Sequence, residues 1–289
     1  FAIEGQLDFT VGKGGFPMIE VHNAKARALI SLYGGQVLAY CPADGRELLF
    51  VSEQAYFEPG KEIKGGIPVC WPWFGDDPED QGRGAHGFVR NRDWQVAATG
   101  GTPDGDTRVC LTLQDDEHTR RIWPHPFLLE LEIRIGETLA LTLTTHNRGS
   151  EAFPLTQALH SYFAVGDIDA VAVTGLDGRS YLDKAAGWAR KQQQGEVRFR
   201  GEVDRVYLAV PSRQQIEDGA TPRKISIYSE GNQTLVVWNP GALISRAMAD
   251  LRDDDYRRFV CVETANAVED IVTLPAGEHY SLAAEYAIL

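Results

Sequence analysis

Between Leu129 and Ile135 every second residue is apolar, with Glu130, Glu132 and Arg134 in between, and the same period returns at Leu139, Leu141 and Leu143 and again at Ile225 and Ile227. An extended chain points successive side chains to opposite faces, so a period of two marks half-buried β-strands. The runs are short. Between them lie clusters such as Pro103-Asp104-Gly105-Asp106 and Asp177-Gly178-Arg179, which supply the fixed-φ and positive-φ positions that tight turns require. Many short strands with frequent turns predict an all-β fold, a large antiparallel β-sandwich. The best helical signals, at 52–57 and 250–258, are short and polar, so few short helices are expected.

The 289 residues fit one large β domain, and no repeat or low-complexity linker divides them. A polar stretch at 185–195, with Lys191, Gln192, Gln193 and Gln194 in a row, reads as a solvated excursion, because strand pattern resumes at Val197 and Phe199. A single β-sandwich catalytic domain over residues 1–289 is therefore expected. With 43% apolar and 24% charged residues the composition is that of a soluble globular chain. No apolar run reaches the roughly 18 residues of a membrane span, and the first residues lack the basic start and apolar stretch of a signal peptide, so neither is expected. Cys41, Cys70, Cys110 and Cys261 are far apart and form no Cys-x-x-Cys pair. Buried free thiols in a cytoplasmic protein are the expectation. The net charge of −13 argues against a nucleic-acid partner, which needs a broad basic face. An anionic ligand would have to be met by a local basic cluster within an acidic surface.

Certain segments depart from this strand-and-turn grammar. Lys64-Gly65-Gly66-Ile67-Pro68-Val69-Cys70-Trp71-Pro72-Trp73-Phe74-Gly75 combines paired glycines, which permit close backbone approach, with prolines that stiffen the path. Trp71 and Trp73 offer faces on which a sugar ring can lie, although a packed aromatic loop would look the same. His86-Gly87-Phe88-Val89-Arg90-Asn91-Arg92 carries two guanidinium forks suited to phosphate oxygens. In an extended chain Arg90 and Arg92 would share a side, with Lys64 or Arg83 completing the anion site; solvent-facing charges are the plain alternative. His160, at the edge of the apolar stretch Leu159-His160-Ser161-Tyr162-Phe163, suits a catalyst or a satisfied core residue. Phe259-Val260-Cys261-Val262-Glu263-Thr264 is apolar on both faces, so Glu263 is expected to be buried and to need a partner, catalytic or structural.

Taken together and in order, GGIPVCWPWFG, HGFVRN, LHSYF followed by AVGDI, DRVY, WNPG and FVCVETAN resemble the glucose-6-phosphate 1-epimerases, or hexose-6-phosphate mutarotases, of the aldose 1-epimerase superfamily. The resemblance runs from about residue 28 to the C-terminus. It implies a galactose mutarotase-like supersandwich that interconverts the α and β anomers of a hexose 6-phosphate, most simply glucose 6-phosphate. By matching position it also implies His160 as general acid, Glu263 as general base, Asp204 and His86 as sugar-binding residues and Arg90 as a phosphate ligand. Lys64 stands where the relatives carry a further basic ligand, usually arginine, and Ala85 where one of them carries glutamine. The implied partner is a small phosphorylated hexose, with no cofactor, no metal, no membrane and a monomeric chain.

These residue types suit the chemistry. Mutarotation protonates the ring oxygen and deprotonates the anomeric hydroxyl, after which the C1 aldehyde rotates and the ring closes on its other face. Histidine, ordinarily near 6.5, starts close to protonated, and glutamate, ordinarily near 4.3, starts ionised. The two are expected on opposite sides of C1, facing one another across a pocket wide enough for a pyranose. The sequence also admits a non-catalytic sugar-phosphate-binding module, an epimerase of unphosphorylated hexoses, or a glycosidase using Glu263 with Asp204 or Asp167 as paired carboxylates.

Overall fold

A computed structural model describes residues 1–289. Its antiparallel strands form two sheets of eight strands each, a four-stranded sheet from Leu7 to Pro42 and a small pair, Phe153–Leu155 with Val272–Leu274. The first large sheet is built on the strands whose alternation is clearest. Phe127–Ile135 pairs with Leu139–Asn147 in continuous register, Leu131 opposite Leu143, and Leu139–Asn147 pairs in turn with His279–Ile288. Leu129, Leu131, Leu141 and Leu143 bury their side chains on one face, while the residues between them stay partly exposed.

The second large sheet runs in the order Ala189–Gln192, Ser180–Asp183, Val203–Leu208, Thr234–Asn239, Phe259–Asn266, Gln157–Leu159, Val69–Cys70, with Tyr162–Ala164 pairing alongside Phe259–Asn266. Every residue of Phe259–Asn266 is buried, as its two apolar faces predict. Val260 and Val262 join Val203, Tyr207, Leu235 and Val237 in a core cluster of 54 residues that also takes in the inner face of the first sheet. The opposite face, carrying Cys261 and Glu263, floors a cleft. All four cysteines are buried and unpaired.

The helices fall elsewhere than the sequence suggests. Residues 52–57 form none, because the Ser52 hydroxyl accepts from the Gln54 amide in a tight turn, and 250–258 supplies only the 3-10 turn Asp255–Arg258. The α-helices are Glu117–Ile122 and Gly241–Ala247. The first is too short to show an apolar period, but it has a capping box in which the Asp116 side chain accepts from the Thr119 amide. The polar stretch becomes a 3-10 turn, Lys184–Ala186, and an edge strand, Ala189–Gln192, exposed along its length. No helix is long and apolar enough to cross a membrane.

Candidate active site

His160 owes its position to the glycine pair. Gly66 adopts φ +63, and a Cβ there would lie 2.3 Å from the Val37 carbonyl oxygen, so only glycine lets this segment come so close. Docked there, the segment accepts from His160 N through Pro68 O at 3.0 Å and from Tyr162 N through Gly66 O at 2.9 Å. Between those anchors the chain breaks its pairing: Ser161 turns into the core, its Oγ 2.7 Å from the Tyr286 hydroxyl, and His160 turns into the cleft. Tyr162 stacks on the imidazole with ring centroids 4.8 Å apart, and Trp238 meets it edge-on at 5.9 Å.

Glu263 arrives from the neighbouring strand. Register places Val236 opposite Glu263, and Trp238 opposite both Cys261 and Asp204, so these residues share the cleft face of adjacent strands. His160 Nδ1 lies 3.5 Å from Glu263 Oε2. The residues are 8% and 1% exposed, and neither of those atoms has a hydrogen-bond partner. The expected juxtaposition is thus present but differently arranged: the pair stands side by side in the cleft wall, too close for a ring to lie between. Ring oxygen and anomeric oxygen hang on the same carbon, so adjacent groups can still serve both.

Burial, with the nearby His86, Lys64 and Arg90, drives His160 well below its ordinary value, and burial with the Asp204 charge drives Glu263 well above its own, Lys184 opposing. Both shifts favour uncharged groups, which reverses the expected starting state of an imidazolium beside a carboxylate. Asp204 is raised by burial, with Lys184 opposing. His86 is pushed down to about 3 by burial and by Arg90, and its Nδ1 accepts from the Gly75 amide at 3.3 Å, leaving Nε2–H as a donor. It holds a left-handed backbone, φ +64, a conformation costing a non-glycine residue about 1–3 kcal/mol.

His160, Glu263, His86, Asp204, Lys64 and Arg90 all line one cleft of about 310 Å³, within the size range of small-molecule sites. Trp71 and Trp73 do not line it. Trp71 is wholly buried, its indole N–H donating to Thr145 and its ring packed on Trp123 and Phe127. Trp73 donates to Gly84 O and is covered by Arg83. The packed-loop alternative holds for both. Arg83 is bound to Asp77 at 2.5 Å, outside the cleft. Arg90 and Arg92 do not share a side, because Val89–Asn91 is a 3-10 turn rather than a strand. Of the basic cluster, Lys64 faces Asp250 at 3.3 Å and Arg90 faces Glu62 at 3.7 Å, while Arg90 Nε is buried without a partner.

Sequence reasoning missed the aromatic rim: Tyr162, Trp238, Phe74 and Trp188, with Lys184 beside them. Trp188 is 46% exposed in the left-handed region, and Lys184 Nζ sits 5.7 Å from its ring centre. A tryptophan inside a polar stretch was the available signal.

The family profile described as aldose 1-epimerase matches residues 17–287. The chain is 40% identical over 255 residues to a protein of Escherichia coli K12 provisionally named glucose-6-phosphate 1-epimerase, covering 87% of this chain and 84% of that one. A protein of Cenchrus ciliaris with the same provisional name is 40% identical over 262 residues, 88% of this chain and 78% of its own. A crystal structure from Salmonella typhimurium, of a provisionally named mutarotase, matches with TM-score 0.91 and 33% identity over 100% of this chain and 95% of that chain.

Proposed function

The chain belongs to the aldose 1-epimerase family, and on that premise we propose that it interconverts the α and β anomers of a hexose 6-phosphate, glucose 6-phosphate foremost. The observation that carries the reading is the contact of His160 Nδ1 with Glu263 Oε2 at 3.5 Å, both buried and both unpartnered. Ring opening needs one proton delivered and one removed, so the pair is competent whenever it holds a single proton: one member donates and the other accepts. Asp204 and His86 Nε2–H orient the sugar hydroxyls. Lys64 and Arg90, which both line the cleft, take the phosphate, and Asp250 and Glu62 hold these cations in place. A phosphate there cancels the positive charge that depresses His160, so substrate binding itself favours moving the proton from Glu263 to the imidazole.

The whole chain acts as one catalytic unit, because a single apolar cluster draws on residues from Leu7 to Tyr286. Four buried, unpaired thiols suit the cytoplasm. A second reading, an unphosphorylated hexose as substrate, draws support from the carboxylates already facing Lys64 and Arg90.

Magnetisation exchange between anomers, followed by NMR on glucose and glucose 6-phosphate in parallel, separates the two. Arg90→Ala is expected to raise KM for the phosphorylated sugar about 10- to 100-fold, the worth of a charge-assisted hydrogen bond, and to leave glucose unaffected. Equal losses on both sugars would remove the phosphate assignment, and no acceleration of either would remove mutarotation.

A further inference from the structure

The acid–base chemistry makes no use of Cys261, yet its thiol sits beside the reacting groups. Two residues before Glu263 on a strand, it turns to the same face. One donor atom each from His160, Cys261 and Glu263 lie within 4.8 Å of one another. All three residues are buried, and His160 Nδ1 and Glu263 Oε2 lack hydrogen-bond partners. We propose that this trio is an inhibitory binding site for a borderline-soft divalent cation, zinc above all.

The donor set is the first support. Imidazole, thiolate and carboxylate are the ligands zinc takes, at about 2.0–2.3 Å, which places neighbouring ligand atoms of a tetrahedron roughly 3.3–3.8 Å apart. The His160–Glu263 edge, at 3.5 Å, already has that length. The remaining edges are no longer than 4.8 Å and need to close by about 1.5 Å at most. Charge is the second support. Neutral imidazole, thiolate and carboxylate together carry two negative charges, so a divalent ion leaves the buried site neutral, where an uncompensated charge would cost several kcal/mol. On binding, the Cys261 S–H bond breaks as the zinc–sulfur bond forms and the proton passes to buffer; a carboxyl proton on Glu263 leaves the same way. No electron is transferred. The fourth position opens to the cleft and takes water. Magnesium, which demands six hard oxygen ligands, has no such match here.

Inhibition follows because the metal occupies the imidazole lone pair and the carboxylate that proton transfer requires. That consequence rests on the proposed acid–base reading, whereas binding rests on the donor geometry alone. The test is therefore double. The full chain is titrated with zinc chloride in metal-free buffer, reading heat of binding and anomer exchange of glucose 6-phosphate together, and cobalt(II) replaces zinc for absorption spectroscopy. One zinc per chain is expected, with at least about tenfold loss of exchange at saturation, recovery on adding EDTA and no effect of magnesium. Wild-type protein with cobalt should show a thiolate-to-cobalt charge-transfer band. Cys261→Ser should lose that band and weaken zinc binding by at least 10- to 100-fold, on the scale of losing a supporting ligand, with basal exchange unchanged.

Zinc that bound Cys261→Ser as tightly as wild type, wild-type protein without the cobalt band, or zinc that raised the exchange rate would each overturn the proposal. If Cys261→Ser does not fold, the band in wild type and its competition by zinc decide alone. Cobalt and zinc binding as expected in a protein that never exchanged anomers would keep the metal site and sink the acid–base reading instead.

Discussion

The two large sheets obey different rules. In the first, Phe127–Ile135 and Leu139–Asn147 run nine residues each with strict inside–outside alternation and unbroken register. In the second, strands of two or three residues, Val69–Cys70, Gln157–Leu159 and Tyr162–Ala164, crowd around one strand buried on both faces. The regular sheet has one surface to hide and water on the other. The irregular sheet hides one surface in the core and lends the other to a cleft, where it holds a glutamate, a histidine and an aspartate away from bulk water. Regularity serves stability here, and interruption serves chemistry: His160 reaches the cleft only because pairing lapses between Leu159 and Tyr162.

That division can be broken by substitution. The largest effect belongs to the irregular sheet: Glu263→Gln and His160→Ala should each lower kcat for anomer exchange by about 10²- to 10⁴-fold, the usual worth of a positioned proton transfer, with little change in Tm. A Tm collapse in Glu263→Gln with kcat preserved in the folded fraction would make the glutamate structural. Leu131→Ala, in the regular sheet, should do the reverse, costing about 2–5 kcal/mol in denaturant unfolding while kcat/KM of the folded protein stays put. Loss of activity in step with the mutation, below the unfolding transition, would show the sheets to be coupled. Next comes Lys64→Met, expected to raise KM for glucose 6-phosphate roughly 10- to 100-fold through loss of a charged donor. Trp188→Ala is the smallest, a threefold to tenfold rise in KM for both sugars, on the order of 0.5–1.5 kcal/mol for an aromatic contact.

The same contrast explains what the sequence discloses. Alternation from Leu129 to Leu143 reports the regular sheet directly, because burial on one side imposes period two. Phe259 to Glu263 reports burial on both sides, but not which face meets the core and which the cleft. Glu263 and His160 stand out as polar groups in apolar strings, but that they meet, and meet side by side, depends on strand order, which no local pattern carries. Trp71 and Trp73 mislead because an aromatic ring suits a core as well as a sugar, and only packing tells them apart. Trp188 and Lys184 escape notice because their importance comes from the neighbouring strand Val203–Leu208, which brings Asp204 beside them.

Phe259–Asn266 is hydrogen-bonded to Thr234–Asn239 on one side and to Gln157–Leu159 and Tyr162–Ala164 on the other. Its amides should therefore exchange with deuterium only when the molecule opens as a whole, tracking global unfolding rather than local fraying. A glutamate mounted there should keep its place until the fold itself opens, so any loss of working geometry on warming should begin at His160, where pairing lapses.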